Sequence, residues 1–301
     1  MSKTLRIGVN ALYLIPGGVG GTEVYLRNLL SAMAGGSRGH EFVIFVNEET
    51  GPGLAPNDPA FRVVETGVRA VSRPRRILFE QFRLPGLARA AGIDVLFNPG
   101  FTSPLLGSAP NATIIHDLQH HWHPEFFKWT DLQAWRLLVW ASAKHSARIL
   151  TVSEASREDI HAVYGVALDQ IHAAEPGVEP DFFSLTREKE EPLILCVSTL
   201  HPHKNIERLV DAFAVFRARH PEYKLVLAGM RGFHGDAVER RVRHHQLEAQ
   251  VRMTGWIPRA EIMELYARAR FAVFPSTFEG FGMPVPEAMA GGGGGAAEGM
   301  V

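Results

Sequence analysis

Cysteine is almost absent: Cys196 is the only one in 301 residues. No intrachain disulfide can form, and a reducing compartment removes nothing the fold needs. An excess of charge is lacking too. The 31 Lys and Arg stand against 32 Asp and Glu, a net charge of −1, which leaves no global electrostatic case for nucleic acid. A membrane-length apolar run is also missing. The long uncharged stretch from Val95 to Ile115 carries Pro99, Pro104 and Pro110, which is loop chemistry rather than a spanning helix. Near the N-terminus, Lys3 and Arg6 lead into an apolar run ending at Ile15. Asn10 interrupts that run and no small-x-small cleavage site follows, so it reads as a buried first strand rather than a signal peptide. The expectation is a cytoplasmic protein. With 46% hydrophobic residues the chain can build a core, and its length suits two domains.

Short β-branched runs alternate with longer helical patterns. Strands are expected at 5–9, 41–46, 95–97, 113–115 and 148–152, and helices at 22–33, 75–91, 132–146 and 156–163. That alternation means a parallel sheet covered on both faces. It pauses at Glu175-Pro176-Gly177-Val178-Glu179-Pro180 and restarts with strands at 192–197, 224–227, 251–253 and 271–274, interleaved with helices at 206–219, 236–247 and 259–269. The fold class is therefore α/β, with two Rossmann-like, doubly wound parallel-sheet domains facing a cleft. The expected division is 1–179, a linker at 180–191, a second domain at 192–290 and a glycine-rich tail at 291–301. Five consecutive glycines, Gly291 to Gly295, cannot continue a helix. Order is expected to stop near Ala290, leaving the second sheet incomplete with four strands and Phe271 to Phe274 as an exposed edge.

Functional residues in such sheets follow the strands. The most specific segment, Glu279-Gly280-Phe281-Gly282-Met283-Pro284-Val285-Pro286-Glu287, directly follows the strand ending at Phe274. Its glycines allow close approach of backbone to ligand, and the amides of Gly280, Phe281, Gly282 and Met283 can donate to sugar or phosphate oxygens. Pro286 is expected at the first helical position, which puts Glu287 in the first turn. A carboxylate there can accept two ribose hydroxyl protons. In the N-terminal half, Gly17-Gly18-Val19-Gly20-Gly21 precedes Thr22, an expected N-cap, but Glu23 stands where a dinucleotide fingerprint needs its last glycine. His116 directly follows a strand. The neighbouring His120, His121 and His123 invite a zinc reading, but their spacing is not that of a zinc site. No Asp-x-Asp pair occurs in the chain, so no metal is expected. Between Arg69 and Arg89, six arginines and one acid interleave with apolar residues, a pattern suited either to a solvated basic helix or to peripheral contact with anionic lipid.

Ser276 to Pro284 with Glu287-Ala288-Met289-Ala290 resembles the signature of the family 4 retaining glycosyltransferases (glycosyl transferases group 1, GT-B fold). Gly17 to Gly21, Ile115-His116-Asp117, Thr151 to Ser156 and Pro202-His203-Lys204-Asn205 are similar to further family stretches, in the same order. The resemblance implies that Glu287 holds the nucleotide ribose and that Glu279, with the Phe281 and Gly282 amides, contacts the donor sugar. It also implies that Lys204 neutralises the donor diphosphate, that His116 contacts the sugar near its reacting carbon, and that the loop containing Gly18 and Gly20 closes over phosphate or acceptor. Thr199 stands where many relatives carry an arginine, and Arg231 is the candidate for replacing that charge. The implied reaction transfers a hexose of mannose or glucose type from a nucleoside diphosphate sugar to a glycan or lipid-linked acceptor, without a cofactor. Family members continue further after the second glutamate, so the resemblance implies a truncated chain. The alternatives are an incompetent binding protein and a sugar-nucleotide epimerase on the same fold.

Overall fold

The computed structural model describes residues 4–107, 109–187, 190–292 and 294–297. The chain divides into two compact units, Met1–Pro176 and Gly177–Val301.

The first unit runs β1 (Arg6–Ala11), α1 (Gly21–Ala34), β2 (Glu41–Val46), β3 (Phe61–Glu65), α2 (Arg73–Phe82), α3 (Leu84–Ala90), β4 (Val95–Asn98), β5 (Asn111–Ile114), α4 (Gln119–Trp122), α5 (Trp129–His145), β6 (Arg148–Thr151), α6 (Glu154–Tyr164) and β7 (Ile171–Ala173). All pairings are parallel, in the order β3-β2-β1-β4-β5-β6-β7. The order reverses between β1 and β4, where an open parallel sheet presents its ligand crevice. One face of β1 and β2 packs Val9, Ala11 and Ile44 against Leu26 and Leu30 of α1. The other face packs Val43 and Phe45 against Leu84 and Ala88 of α3.

The second unit runs α7 (Pro180–Phe183), β8 (Glu191–Val197), α8 (Ile206–Arg217), β9 (Lys224–Ala228), α9 (Gly235–His244), β10 (Val251–Gly255), α10 (Arg259–Arg268), β11 (Ala269–Phe274), α11 (Pro284–Ala290) and β12 (Gly294–Ala297). Its sheet order is β10-β9-β8-β11-β12, again all parallel. Successive side chains in β8 explain the two layers. Ile194 and Cys196 join Leu209, Val210 and Phe213 of α8, while Leu193 and Leu195 join Leu265 of α10 and Ala288 of α11. Both faces are covered, so the strand reads as a continuous apolar run instead of an alternating one.

Several expectations change. The second sheet has five strands among the described residues, because Gly294 to Ala297 pair in parallel with Phe271 to Phe274. Order therefore does not stop at Ala290. The glycine run ends α11 as expected, but backbone hydrogen bonding to a neighbouring strand needs no side chains and recruits the residues beyond it. The helix expected at 75–91 breaks at Arg83, because Pro85 in the first turn of α3 has no N–H to extend the preceding helix. Thr22 is not a cap: Gly20 occupies that position with φ 60°, and the Thr22 hydroxyl donates to the Val19 carbonyl at 2.9 Å. Pro284, not Pro286, opens α11. The short strands β3 and β7 were not expected.

The segment set aside as a linker contains α7, whose Phe182 is completely buried in the second unit's core while the adjacent Phe183 is 69% exposed. Phe182→Ala is therefore expected to lower stability by about 3 kcal/mol or more, and Phe183→Ala to change it by less than about 0.5 kcal/mol. Urea unfolding of the two variants checks the difference, and equal effects would place 180–191 outside the core.

Candidate functional site

In the second unit the strand order reverses between β8 and β11. The helix after β8 covers one face of the sheet and the helix after β11 covers the other, so the two connecting loops diverge above neighbouring strand ends. The first loop tightens into a single 3-10 turn, Pro202–Lys204, and enters α8 through Asn205 in the left-handed region at φ 56°. The second loop is stitched to the first by Thr277, whose backbone N–H and hydroxyl donate to the His203 carbonyl at 2.8 and 3.1 Å. Across this seam Lys204 Nζ meets Glu279 Oε1 at 2.5 Å, both side chains about a fifth exposed (19% and 18%). From β9 the backbone of Gly229, at φ 143°, lies so near that an added Cβ would stand 2.3 Å from the Ser198 carbonyl oxygen. Only glycine permits that approach.

Glu287 lies in the first turn of α11 and is 3% exposed. Its Oε1 accepts from Arg259 Nη2 at 2.5 Å and its Oε2 from the Tyr266 hydroxyl at 3.3 Å. Arg259 also donates from Nε to Glu179 at 2.7 Å and lies over the Phe182 ring, 4.7 Å from its centroid. Burial pushes the Glu287 carboxyl above its ordinary value, and the Arg259 guanidinium opposes that shift. The carboxylate is thus held in place before any ligand arrives. Gly282 takes φ 80°, turning the chain into α11. Among the described residues the N–H groups of Phe281, Gly282 and Met283 meet no protein acceptor. A cation, two carboxylates and a row of amide donors therefore share one loop system. This set suits a ligand carrying both hydroxyls and negative charge.

Two further expected contributors have protein partners of their own. Arg231 forms ion pairs with Asp236 and Glu239, in an exposed position along α9, so its charge is already matched. Thr199 accepts at its carbonyl from the Ser198 hydroxyl and the His201 N–H, and its side chain is half-buried. Arg259, Tyr266 and Glu179 were not foreseen. The one available signal was an arginine at the first position of a helix, where the dipole disfavours a cation.

In the first unit, the Gly18 N–H donates to the Ile15 carbonyl, and the Gly17 N–H donates to the Glu23 carboxylate at 2.7 Å. The loop containing Gly18 and Gly20 is thereby folded onto the start of α1. His116 is 8% exposed, with Nε2 3.1 Å from the Pro99 carbonyl oxygen. A carbonyl only accepts, so Nε2 carries the proton and Nδ1 is left as an acceptor. The other histidines of this segment find separate partners: His120 bonds the Tyr164 hydroxyl at 2.7 Å, His123 bonds Glu125, and His121 packs edge-on against Trp122.

Each unit is thus a doubly wound nucleotide-binding-type α/β domain with polar side chains at its switch point. A model described as Glycosyltransferase Family 4 matches residues 19–182, and one described as Glycosyl transferases group 1 matches residues 178–293. The chain belongs to glycosyltransferase family 4. It is 29% identical over 194 residues to O-antigen chain mannosyltransferase B of Escherichia coli, covering 60% of this chain and 50% of that one. It is 30% identical over 190 residues to O-antigen chain mannosyltransferase RfbU of Salmonella typhimurium, covering 63% and 51%. The chain spans about half the length of these curated relatives. Among solved structures, Anabaena Alr3699/HepE in complex with UDP and glucose superposes with a TM-score of 0.69 at 17% identity, over 97% of this chain and 80% of that one. The fold is GT-B. No helix among the described residues is long and apolar enough to cross a membrane.

Burial lowers His116 from its ordinary value of 6.5 to about 4. Between those values the unfolded chain takes up a proton that the folded chain refuses. Stability is therefore complete above pH 6.5 and falls as the pH drops, by about 1.4 kcal/mol per pH unit for this group. His116→Gln is expected to flatten that fall, read as urea midpoints at pH 7 and pH 5. An unchanged slope would show that His116 is protonated freely in the folded state.

Proposed function

We propose that this chain is a retaining hexosyltransferase whose second unit binds a nucleoside diphosphate sugar and whose first unit binds the acceptor. The observation that carries this reading is the Lys204–Glu279 contact at the β8/β11 switch point, next to the amides of Phe281, Gly282 and Met283 and to the buried Glu287. The leaving group is a diphosphate anion, and a cation with backbone donors stabilises charge where it grows during bond cleavage. In this reading Lys204 moves from Glu279 to the diphosphate. Glu279 is then released to orient the sugar hydroxyls, and Glu287 accepts from the ribose. The acceptor hydroxyl attacks from the face the diphosphate leaves, and the departing phosphate oxygen takes its proton. His116, neutral with Nδ1 as an acceptor, suits a sugar hydroxyl rather than a proton transfer.

A mannosyl donor is favoured by the two O-antigen mannosyltransferase relatives, and the acceptor is a glycan or lipid-linked saccharide. Work at the cytoplasmic face of a membrane belongs to the same proposal. It is supported by Val71, Leu78 and Phe82, exposed beside the basic residues Arg69 and Arg75.

Thermal unfolding with GDP, UDP and ADP tests the donor site. A nucleotide at 100 times its Kd stabilises by about 2.7 kcal/mol, a shift of a few degrees. One of the three is expected to raise the midpoint, with the shift lost in Lys204→Ala and in Glu287→Ala. A shift that survives both substitutions would place the nucleotide elsewhere and defeat the assignment.

A further inference from the structure

The carboxyl edge of the first sheet carries a second cluster, apart from the β8 and β11 loops. Tyr13 follows β1, Phe101 follows β4 and His116 follows β5, while α2 contributes Arg73 and Arg76, three positions apart and so on one helix face. The Arg73 guanidinium lies 4.7 Å from the centroid of the Trp135 ring, Trp135 packs on Phe101 at 5.6 Å, and Phe101 packs on His116 at 5.2 Å. Phe101 has φ 70°, a strained conformation for a bulky residue. Its N–H is held by the Ile114 carbonyl at 3.2 Å. Strain of this kind persists where the surroundings fix a side chain in place. Here the fixed side chain is an aromatic ring beside the strand ends.

Arg76 is half-buried, and its Nε is sealed from solvent without an acceptor. None of its guanidinium N–H groups meets a protein acceptor among the described residues. The carboxylate whose charge it feels, Glu80 one turn along α2, is already occupied. Asn10 and Thr102 donate to its Oε2 at 3.1 Å each, and Gln81 donates to Oε1 at 3.2 Å. A guanidinium keeps its proton and has five donors to satisfy, so a shielded one without partners is costly unless a ligand supplies the acceptor. Arg73, three positions away on the same helix face, is near enough for its charge to act on Arg76, and two neighbouring guanidinium groups suit phosphoryl oxygens.

We propose that Arg73 and Arg76, with the rings of Trp135 and Phe101, form the acceptor subsite, and that the acceptor sugar carries a phosphoryl group. The rings offer an apolar platform for a pyranose, and the two arginines read its phosphate. The assignment rests on the transferase reading for the word acceptor, but the binding it predicts does not need turnover. The phosphoryl group could be anomeric, as in a carrier-linked saccharide, or placed elsewhere on the ring of a phosphorylated glycan.

Mannose 1-phosphate, mannose 6-phosphate and methyl mannoside, titrated against the full chain with calorimetry and tryptophan fluorescence, test this. At least one phosphate is expected to bind about tenfold more tightly than the methyl glycoside, with a fluorescence change from Trp135. Which phosphate binds better identifies the source of the group. Arg76→Met is expected to remove the preference, and Arg76→Lys to restore part of it. Arg73→Met gives the same readout should the Arg76 variants fail to fold. Methyl mannoside binding as tightly as either phosphate would overturn the proposal. So would phosphate binding that survives Arg76→Met and Arg73→Met but is lost in Lys204→Ala, since that would be the donor site. The transferase reading fails separately, on the nucleotide shifts.

Discussion

The adjacency of β8 and β11 governs the second unit. Both strands point their carboxyl ends the same way, and the helices that follow them leave to opposite faces, so a gap opens between the two loops that no regular hydrogen bonding closes. The contacts that span that gap include Thr277 on the His203 carbonyl and Lys204 on Glu279. The first joins backbone to side chain and fixes the loops together. The second joins two partly shielded charges, and either charge can be exchanged for a ligand's. An ion pair at such a place adds little to stability, but it holds a cation beside free amide donors, ready for an anion. Glu287 is anchored differently, by Arg259 and Tyr266 in the interior, so its carboxylate keeps its position whether or not the loops adjust.

The first unit has the same architecture. The β1/β4 switch point is lined by Tyr13, Phe101 and His116 with arginines from α2, beneath which Asn10, Glu80, Asn98 and Thr102 form a buried polar network. That network joins the ends of β1 and β4 to α2 through two donors, Asn10 and Thr102, to the Glu80 carboxylate. It sets the helix, and therefore Arg73 and Arg76, at a fixed place relative to the strand ends. Parallel-sheet topology determines where each site lies, and the side chains after each strand determine what it can bind.

Much of this was legible in the sequence wherever a strand end, a glycine and a charged residue fell together. Glu279 to Glu287 and Pro202 to Asn205 were found as separate segments, and the fold joins them as their strand positions required. The contacts that bind residues far apart were not legible. Glu179, Arg259 and Glu287 are brought together by packing on Phe182 and α10, and no local pattern announces it. The ion pairs of Arg231 were not legible either, because its partners, Asp236 and Glu239, lie on the next helix. β7 has only three residues, too few for a period of two to register. β12 was hidden because glycines signal a break when read locally, while an edge position beside β11 asks only for backbone.

The central claim is that Lys204 reads the diphosphate of a nucleotide held by Glu287. Calorimetric titration of the preferred nucleoside diphosphate and of its parent nucleoside, into the native chain and into Lys204→Met, measures this directly. The account predicts that the native chain prefers the diphosphate by about two orders of magnitude and that Lys204→Met loses most of that preference while retaining nucleoside affinity. A Lys204→Met chain that still prefers the diphosphate to the same degree would contradict it.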